Sequence, residues 1–165
     1  MTTDWREFGN PGSARFDVEA YPFYQLNRTA SRYNRLIGRL LRAIDLEIPA
    51  WRVLMILGQA SPQPVGEVAE KAVINISTMV RLVERMRKSG YLQPNPSALD
   101  GRVTEIALTA LGREKLAAAR RITAPFYEAA IAGFSPEEFR AFITLTRRLH
   151  DNITGIDGTT GKKSR

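Results

Sequence analysis

Asn75-Ile-Ser-Thr-Met-Val-Arg-Leu-Val-Glu-Arg-Met-Arg-Lys-Ser-Gly90 is the stretch that decides the fold. At about 100° per residue, Ile76, Met79, Val80, Leu82, Val83 and Met86 share one side of a helix. Ser77, Thr78, Arg81, Glu84, Arg85 and Lys88 fall on the other, within an arc of roughly 120°. Asn75 is a natural N-cap, and Gly90 stands where a left-handed residue ends a helix. The outward face opens with two hydroxyls and continues with arginines, groups that reach a base edge or a phosphate. Taken alone, the stretch also suits a plain amphipathic core helix.

Its flanks decide between the two. Upstream, Val65-Gly-Glu-Val-Ala-Glu-Lys-Ala72 predicts a short helix with Val68, Ala69 and Ala72 inward, and a tight break at Val73–Asn75. Two helices joined by so short a turn make a helix-turn-helix. Gly66 stands where Ser or Thr would be the better cap for the first of them. Downstream, Tyr91-Leu-Gln-Pro and Arg102-Val-Thr-Glu-Ile-Ala-Leu-Thr109 predict two strands around the turn-rich tip Asn95–Gly101. A hairpin beside a helix-turn-helix is a wing.

With those residues in view, the chain resembles the MarR family of winged-helix transcription regulators. The resemblance is carried by Ser-Thr-Met-Val-Arg-Leu-Val-Glu-Arg-Met at 77–86, Gly-Tyr-Leu at 90–92, and Asp-Gly-Arg-Val-Thr-Glu-Ile-Ala-Leu-Thr-Ala-Leu-Gly-Arg-Glu-Lys-Leu at 100–116. The last contains the family's wing signature, Asp-x-Arg followed by a strand ending Leu-Thr, then x-x-Gly and Leu. The likeness extends over about residues 22–153. It implies a mainly α fold with a small β-wing, a winged helix-turn-helix joined to a helical dimerisation lobe.

Composition agrees. A chain of 165 residues with 44% hydrophobic and 25% charged residues is ordinary for a globular protein with a real core. A net charge of +7 favours a polyanionic partner, and its arginine weighting suits phosphate and guanine contacts. With no cysteine, disulfides, thiolate metal sites and thiol redox sensing are excluded. The longest apolar run, Val53–Leu57, is far too short to span a bilayer, and Met1-Thr-Thr-Asp-Trp-Arg-Glu lacks the apolar core of a signal peptide, so a cytoplasmic protein with no membrane partner is expected.

In chain order, residues 1–20 lack periodicity and are read as an N-terminal arm whose Trp5, Phe8 and Phe16 either pack on the body or cross to a partner subunit. Residues 21–47 hold a long helix from Pro22 to about Leu46, with the stripe Leu26, Ala30, Tyr33, Ile37, Leu40 and Ile44. Arg28, Arg32, Arg35, Arg39 and Arg42 line another face, which needs acids, solvent or phosphates. The DNA-binding lobe is placed at 48–108, opening with a helix over Ala50–Leu57 after Pro49. Residues 109–153 return to the helical lobe: a helix from the Thr109 cap to about Ala132, stripe Leu116, Ala119, Ile122, Phe126 and Ala130, with a kink or break at Pro125. A final helix follows from the start signal Ser135-Pro-Glu-Glu138, burying Phe139, Phe142, Ile143, Thr146 and Leu149. Residues 154–165 read as a flexible basic tail. The stripes of the terminal helices lack local partners, which a second subunit would supply.

No catalytic constellation is present. The single histidine, His150, sits beside Arg147, Arg148 and Asp151, and no zinc-protease motif, phosphate-cradling loop or dinucleotide fingerprint occurs. No enzyme, cofactor or metal is therefore expected.

From the resemblance, the protein is expected to be a homodimeric regulator of double-stranded DNA, a repressor on a pseudo-palindromic operator released by a small aromatic or phenolic carboxylate. Ser77, Thr78, Arg81 and Arg85 would enter the major groove, with Val80 able to touch a thymine methyl. Asn75 and Lys88 would hold phosphates, and Arg102, steadied by Asp100, would read the minor groove. Gly101 replaces an arginine often found between them, which weakens wing contacts. Ligand-site candidates by the same resemblance are Phe23, Asn27, Trp51, Arg52, Met55 and Arg120, aromatic walls and cations suited to a carboxylate. Two other classes fit the residues: a ligand-independent architectural DNA binder, and a protein-interaction module using the helical lobe.

Overall fold

The computed structural model describes residues 4–96 and 104–160. The elements run α1 (Trp5–Phe8), a 3-10 turn (Val18–Ala20), α2 (Pro22–Arg42), α3 (Ile48–Gln59), β1 (Gln63–Pro64), α4 (Val65–Ala72), α5 (Ile76–Lys88), β2 (Leu92–Pro96), β3 (Thr104–Leu108), α6 (Ala110–Ala130) and α7 (Pro136–Thr160). The protein is mainly helical with one small antiparallel sheet, as expected. None of the described helices is long and apolar enough to cross a membrane.

The chain divides into two compact units, Met1–Ala124 and Pro125–Arg165. In the first, the core is built where α3, α4, α5 and the sheet converge. Val53, Leu54 and Leu57 of α3 meet Val68 and Ala72 of α4, Met79 and Met86 of α5, and Ile106 of β3, all at most 2% exposed. Each is the apolar stripe of a helix or the inward face of a strand, so burial follows period 3.6 in the helices and period 2 in β3. Ile37 and Leu41 close the core from α2, and Leu116 and Ala119 from α6.

The sheet order is β1-β3-β2, with Gln63 opposite Ile106 and Pro94 also opposite Ile106 from the other side. The sequence predicts only two of these strands. β1 is two residues long and half proline, so it carries no alternation to read. With β1 in place, α4 starts at Val65 behind Pro64 and has no side-chain cap, so Gly66 lies inside the first turn rather than at the cap position.

Other boundaries differ for local reasons. The N-terminal arm is not irregular: α1 is capped by Asp4, the 3-10 turn by Asp17, and Phe8 and Phe16 pack locally against Arg15 and Tyr21. Trp5 remains 73% exposed. α2 stops at Arg42, four residues early, because Asp45 takes a left-handed backbone (φ 51°) and the Lys115 ammonium donates to the Ile44 carbonyl at 2.6 Å. Pro125 lies inside α6 without breaking it.

In the second unit, the Ser135 hydroxyl accepts from the Glu138 amide (3.2 Å) while the Glu138 carboxylate accepts from the Ser135 amide (2.8 Å), the reciprocal box the sequence predicts. The stripe expected to be buried on α7 is not: Phe139, Ile143 and Leu149 are half-buried, and Phe142 and Thr146 are exposed. Within its own unit α7 meets too little apolar surface to cover it. α7 also continues to Thr160, so 154–160 are helical rather than a flexible tail. No strong stop precedes them, and glycine within a helix costs only about 1 kcal/mol.

Candidate nucleic-acid interface

α4 ends at Val73, whose left-handed backbone (φ 56°) turns the chain, with the Ile74 amide returning to the Ala69 carbonyl at 3.0 Å. Two residues later Asn75 starts α5. Its Oδ1 accepts from the Thr78 amide (2.8 Å) and from the Ser77 hydroxyl (3.0 Å), so the predicted cap is formed. Gly90, at φ 76°, ends the helix as expected.

α5 seats itself by Met79, Leu82 and Met86, a narrower stripe than the sequence predicts. Ile76 and Val80, expected inward, are 56% and 55% exposed. They border an apolar cavity of about 510 Å³ walled also by Val83, Leu92, Pro94 and Ile106, between α5 and the sheet. The widened exposure leaves Val80 available at the edge of the outward face.

Ser77, Thr78, Arg81, Arg85 and Lys88 all lie on one exposed face, as their spacing requires. Their electrostatics are less uniform than the bare sequence suggests. Arg87 donates to both oxygens of Glu84 at 2.9 and 3.0 Å, and this hydrogen bonding holds the Glu84 carboxyl below its ordinary range. The Lys88 ammonium lies 3.8 Å from the same carboxylate. Arg85 is paired with Glu47 at 2.6 Å. Among the described residues, Arg81 is the one cation of α5 without an acidic partner. Glu47 is the residue sequence reasoning misses, because nothing in the chain marks a contact across 38 positions. Asp100 and Arg102 lie outside the described residues.

The base of the wing is locked to the rest. The Thr109 hydroxyl donates to the Gly90 carbonyl (2.6 Å) and accepts from the Gly112 amide (2.9 Å), capping α6 and tying it to the end of α5. A Cβ at Gly112 would collide with the Tyr91 carbonyl, which accounts for the glycine in Leu-x-x-Gly.

The six ligand candidates differ in their surroundings. Trp51 is core, 4% exposed, and Phe23 is half-buried with its ring on Tyr21. Arg52 is half-buried and donates to the Ala72 carbonyl at 3.4 Å. Met55 and Asn27 are exposed. Arg120 lines a cavity of about 510 Å³ with Leu57, Gly58, Arg113, Leu116 and Arg121.

A model of the MarR family matches residues 46–104, the span from the start of α3 into the wing. The chain is also 34% identical over 144 residues to the HTH-type transcriptional repressor IacR of Pseudomonas putida, covering 87% of this chain and 86% of the relative. The chain belongs to the MarR family. Similar solved structures agree with this MarR fold. A MarR family transcriptional regulator from Silicibacter pomeroyi superposes with a TM-score of 0.79 at 23% identity, over 90% of this chain and 97% of that one. BpsR of Bordetella bronchiseptica, whose DNA binding is regulated by 6-hydroxynicotinic acid, superposes with a TM-score of 0.69 at 20% identity, over 79% and 93%. This MarR-family chain is thus a DNA-binding transcription regulator, and α4, the Val73 turn and α5 form its helix-turn-helix.

Proposed function

We propose that the protein is a cytoplasmic homodimeric repressor that binds a pseudo-palindromic operator and is released by a small aromatic or phenolic carboxylate. The observation that carries the DNA half is the outward face of α5: Ser77, Thr78 and Arg81 stand exposed on a helix whose opposite side is locked into the core. Ser77, Thr78, Arg81 and Arg85 read the major groove, Val80 touches a thymine methyl, and Asn75 and Lys88 hold phosphates. Arg102 with Asp100 reads the minor groove. Support for the dimer comes from α7, in which none of the residues described from 136 to 156 is buried and which exposes Phe142, Leu145, Ile153 and Ile156. Apolar surface of that extent on a soluble regulator calls for a partner, and a two-fold partner places two recognition helices about one turn of DNA apart. The helical lobe is then residues 21–47 with 109–153, and 48–108 the DNA-binding lobe.

The relative IacR, a repressor, supports repression, and BpsR, whose DNA binding 6-hydroxynicotinic acid regulates, supports release by a small molecule. Phe23, Asn27, Trp51, Arg52, Met55 and Arg120 are the proposed contacts. A ligand works by preferring a dimer whose half-site spacing no longer fits DNA. A binding titration tests the whole reading: the duplex upstream of the protein's own gene against a scrambled duplex at one salt concentration, with and without aromatic acids. Preference for the native duplex, weakened by one acid, is expected. Equal binding to both duplexes would favour an architectural role, and no binding to either would end the reading.

A further inference from the structure

Arg85 reaches out of α5 to Glu47, Nη2 to Oε2 at 2.6 Å. Glu47 is the residue before α3; its carbonyl accepts from the Trp51 amide at 2.9 Å, but its carboxylate makes no capping bond to that helix. Glutamate is not among the residues preferred at an N-cap, and Pro49 removes one of the amides it could meet, so the carboxylate has little local work. It faces α5 instead. Both partners are well exposed, at 59% and 63% of their side-chain surface, and such pairs contribute little to stability. Holding the fold together therefore does not account for the pair. Around it lie Arg42, Asp45, Ser89 and Tyr91, lining a depression of about 460 Å³ on the same side of the unit.

We infer that Glu47 is a specificity-determining residue, which biases Arg85 away from DNA phosphates and toward base edges. The inference rests on the reading of α5 as the helix that enters the major groove. A guanidinium has five donors, so Arg85 can keep Glu47 on Nη2 and still donate to a second acceptor. If that acceptor is a phosphate, two anions share one cation at close range and repel. If it is the O6 and N7 of a guanine, the acceptors are neutral and Glu47 suffers no such penalty. Binding to arbitrary duplex consists of phosphate contacts, so the penalty falls on it. Binding to the operator, where bases are engaged, largely escapes. Glu47 thus lowers non-specific affinity more than specific affinity, the form of negative discrimination that raises a specificity ratio.

The test compares wild type, Glu47→Gln, Arg85→Ala and the double variant on two duplexes, the one upstream of the protein's own gene and a scrambled one, across a range of salt. Glu47→Gln is expected to raise affinity for the scrambled duplex about three- to tenfold and for the native duplex by less. Its salt dependence on the scrambled duplex should steepen by about one phosphate contact. In the Arg85→Ala background the same substitution should change nothing. An unchanged affinity of Glu47→Gln for the scrambled duplex overturns the inference alone. So does an equal gain without Arg85, which would mean a general charge effect. Failure of wild type to prefer its own duplex would instead remove the DNA reading, and this inference with it.

Discussion

The Thr109 hydroxyl donates to the carbonyl of Gly90 at 2.6 Å, so the residue that caps α6 also closes the chain end of the recognition helix. Thr109→Val should lower stability by about 1–2 kcal/mol, since it removes a cap and strips Gly90 of a partner. Thr109→Ser should recover most of it. Gly112→Ala, a change that helix propensity alone favours by about 1 kcal/mol, should instead destabilise by about 2–3 kcal/mol because of the Tyr91 carbonyl. Urea unfolding of the three variants checks the set. A stabilised Gly112→Ala would refute the packing argument.

Val73 should be a site of gain. A β-branched residue in a left-handed backbone carries strain of about 1–2 kcal/mol, and at 82% exposure its side chain has little packing to lose. Val73→Gly should raise stability by about 0.5–1 kcal/mol after the greater entropy of the unfolded chain is subtracted. The thermal midpoint reads it out.

Arg81 is the cation of α5 without an acidic partner among the described residues, and its removal should be felt by sequence. Arg81→Ala should cost about 1–3 kcal/mol on the native duplex and relax specificity. Lys88→Ala should weaken native and scrambled duplexes alike and reduce the salt slope by about one. Identical footprints and affinities for wild type and Arg81→Ala would remove Arg81 from the base-reading set.

Leu145 lies 53% exposed on α7 beside other uncovered apolar residues. In the proposed dimer, Leu145→Glu should leave the helical content of the monomer intact and shift sedimentation toward the monomer, with operator affinity falling in parallel. Unaltered sedimentation would place the dimer contact elsewhere.

Acid should loosen the end of α5. Hydrogen bonding from Arg87 lowers the Glu84 carboxyl below its ordinary 4.5. A carboxyl depressed in the folded state lends stability that is complete above the unfolded value and fades as pH falls through the folded one. Exposure to water keeps that contribution small. The melting temperature of Glu84→Gln should therefore fall less steeply than wild type below about pH 4.5. Parallel acid limbs would show that the pair does not matter to α5.

The fold was legible wherever a repeat met a punctuating residue. Asn75 and Gly90 bracket α5 as their chemistry requires, and Ser135-Pro-Glu-Glu138 starts α7 with both hydrogen bonds of its box. Illegible were features set by tertiary contact. β1 exists because β3 offers it a ladder, and α2 ends early because Lys115 reaches Ile44 from 71 residues away. The α5 stripe is narrower than its period suggests for a related reason: Ile76 and Val80 have the right spacing, but no neighbour among the described residues covers them. Within the interface, spacing was enough to gather Ser77, Thr78, Arg81, Arg85 and Lys88 on one face. It was silent on Glu47, whose position relative to Arg85 depends on how α3 packs against α5.

Asn75 divides its side chain between two tasks. The oxygen is spent on Thr78 and Ser77, which leaves the nitrogen as the end free to meet a phosphate. Aspartate would preserve the first task and reverse the second, since both its oxygens accept and both carry charge. The cap and the proposed phosphate contact, joined in one amide, come apart in that single exchange. With Asn75 in its proposed role, an Asn75→Asp protein would keep its helix while losing its grip on DNA. If the protein pairs as proposed, a cell that also held the natural chain would form mixed dimers with one competent half, so a single altered copy of the gene would act dominantly.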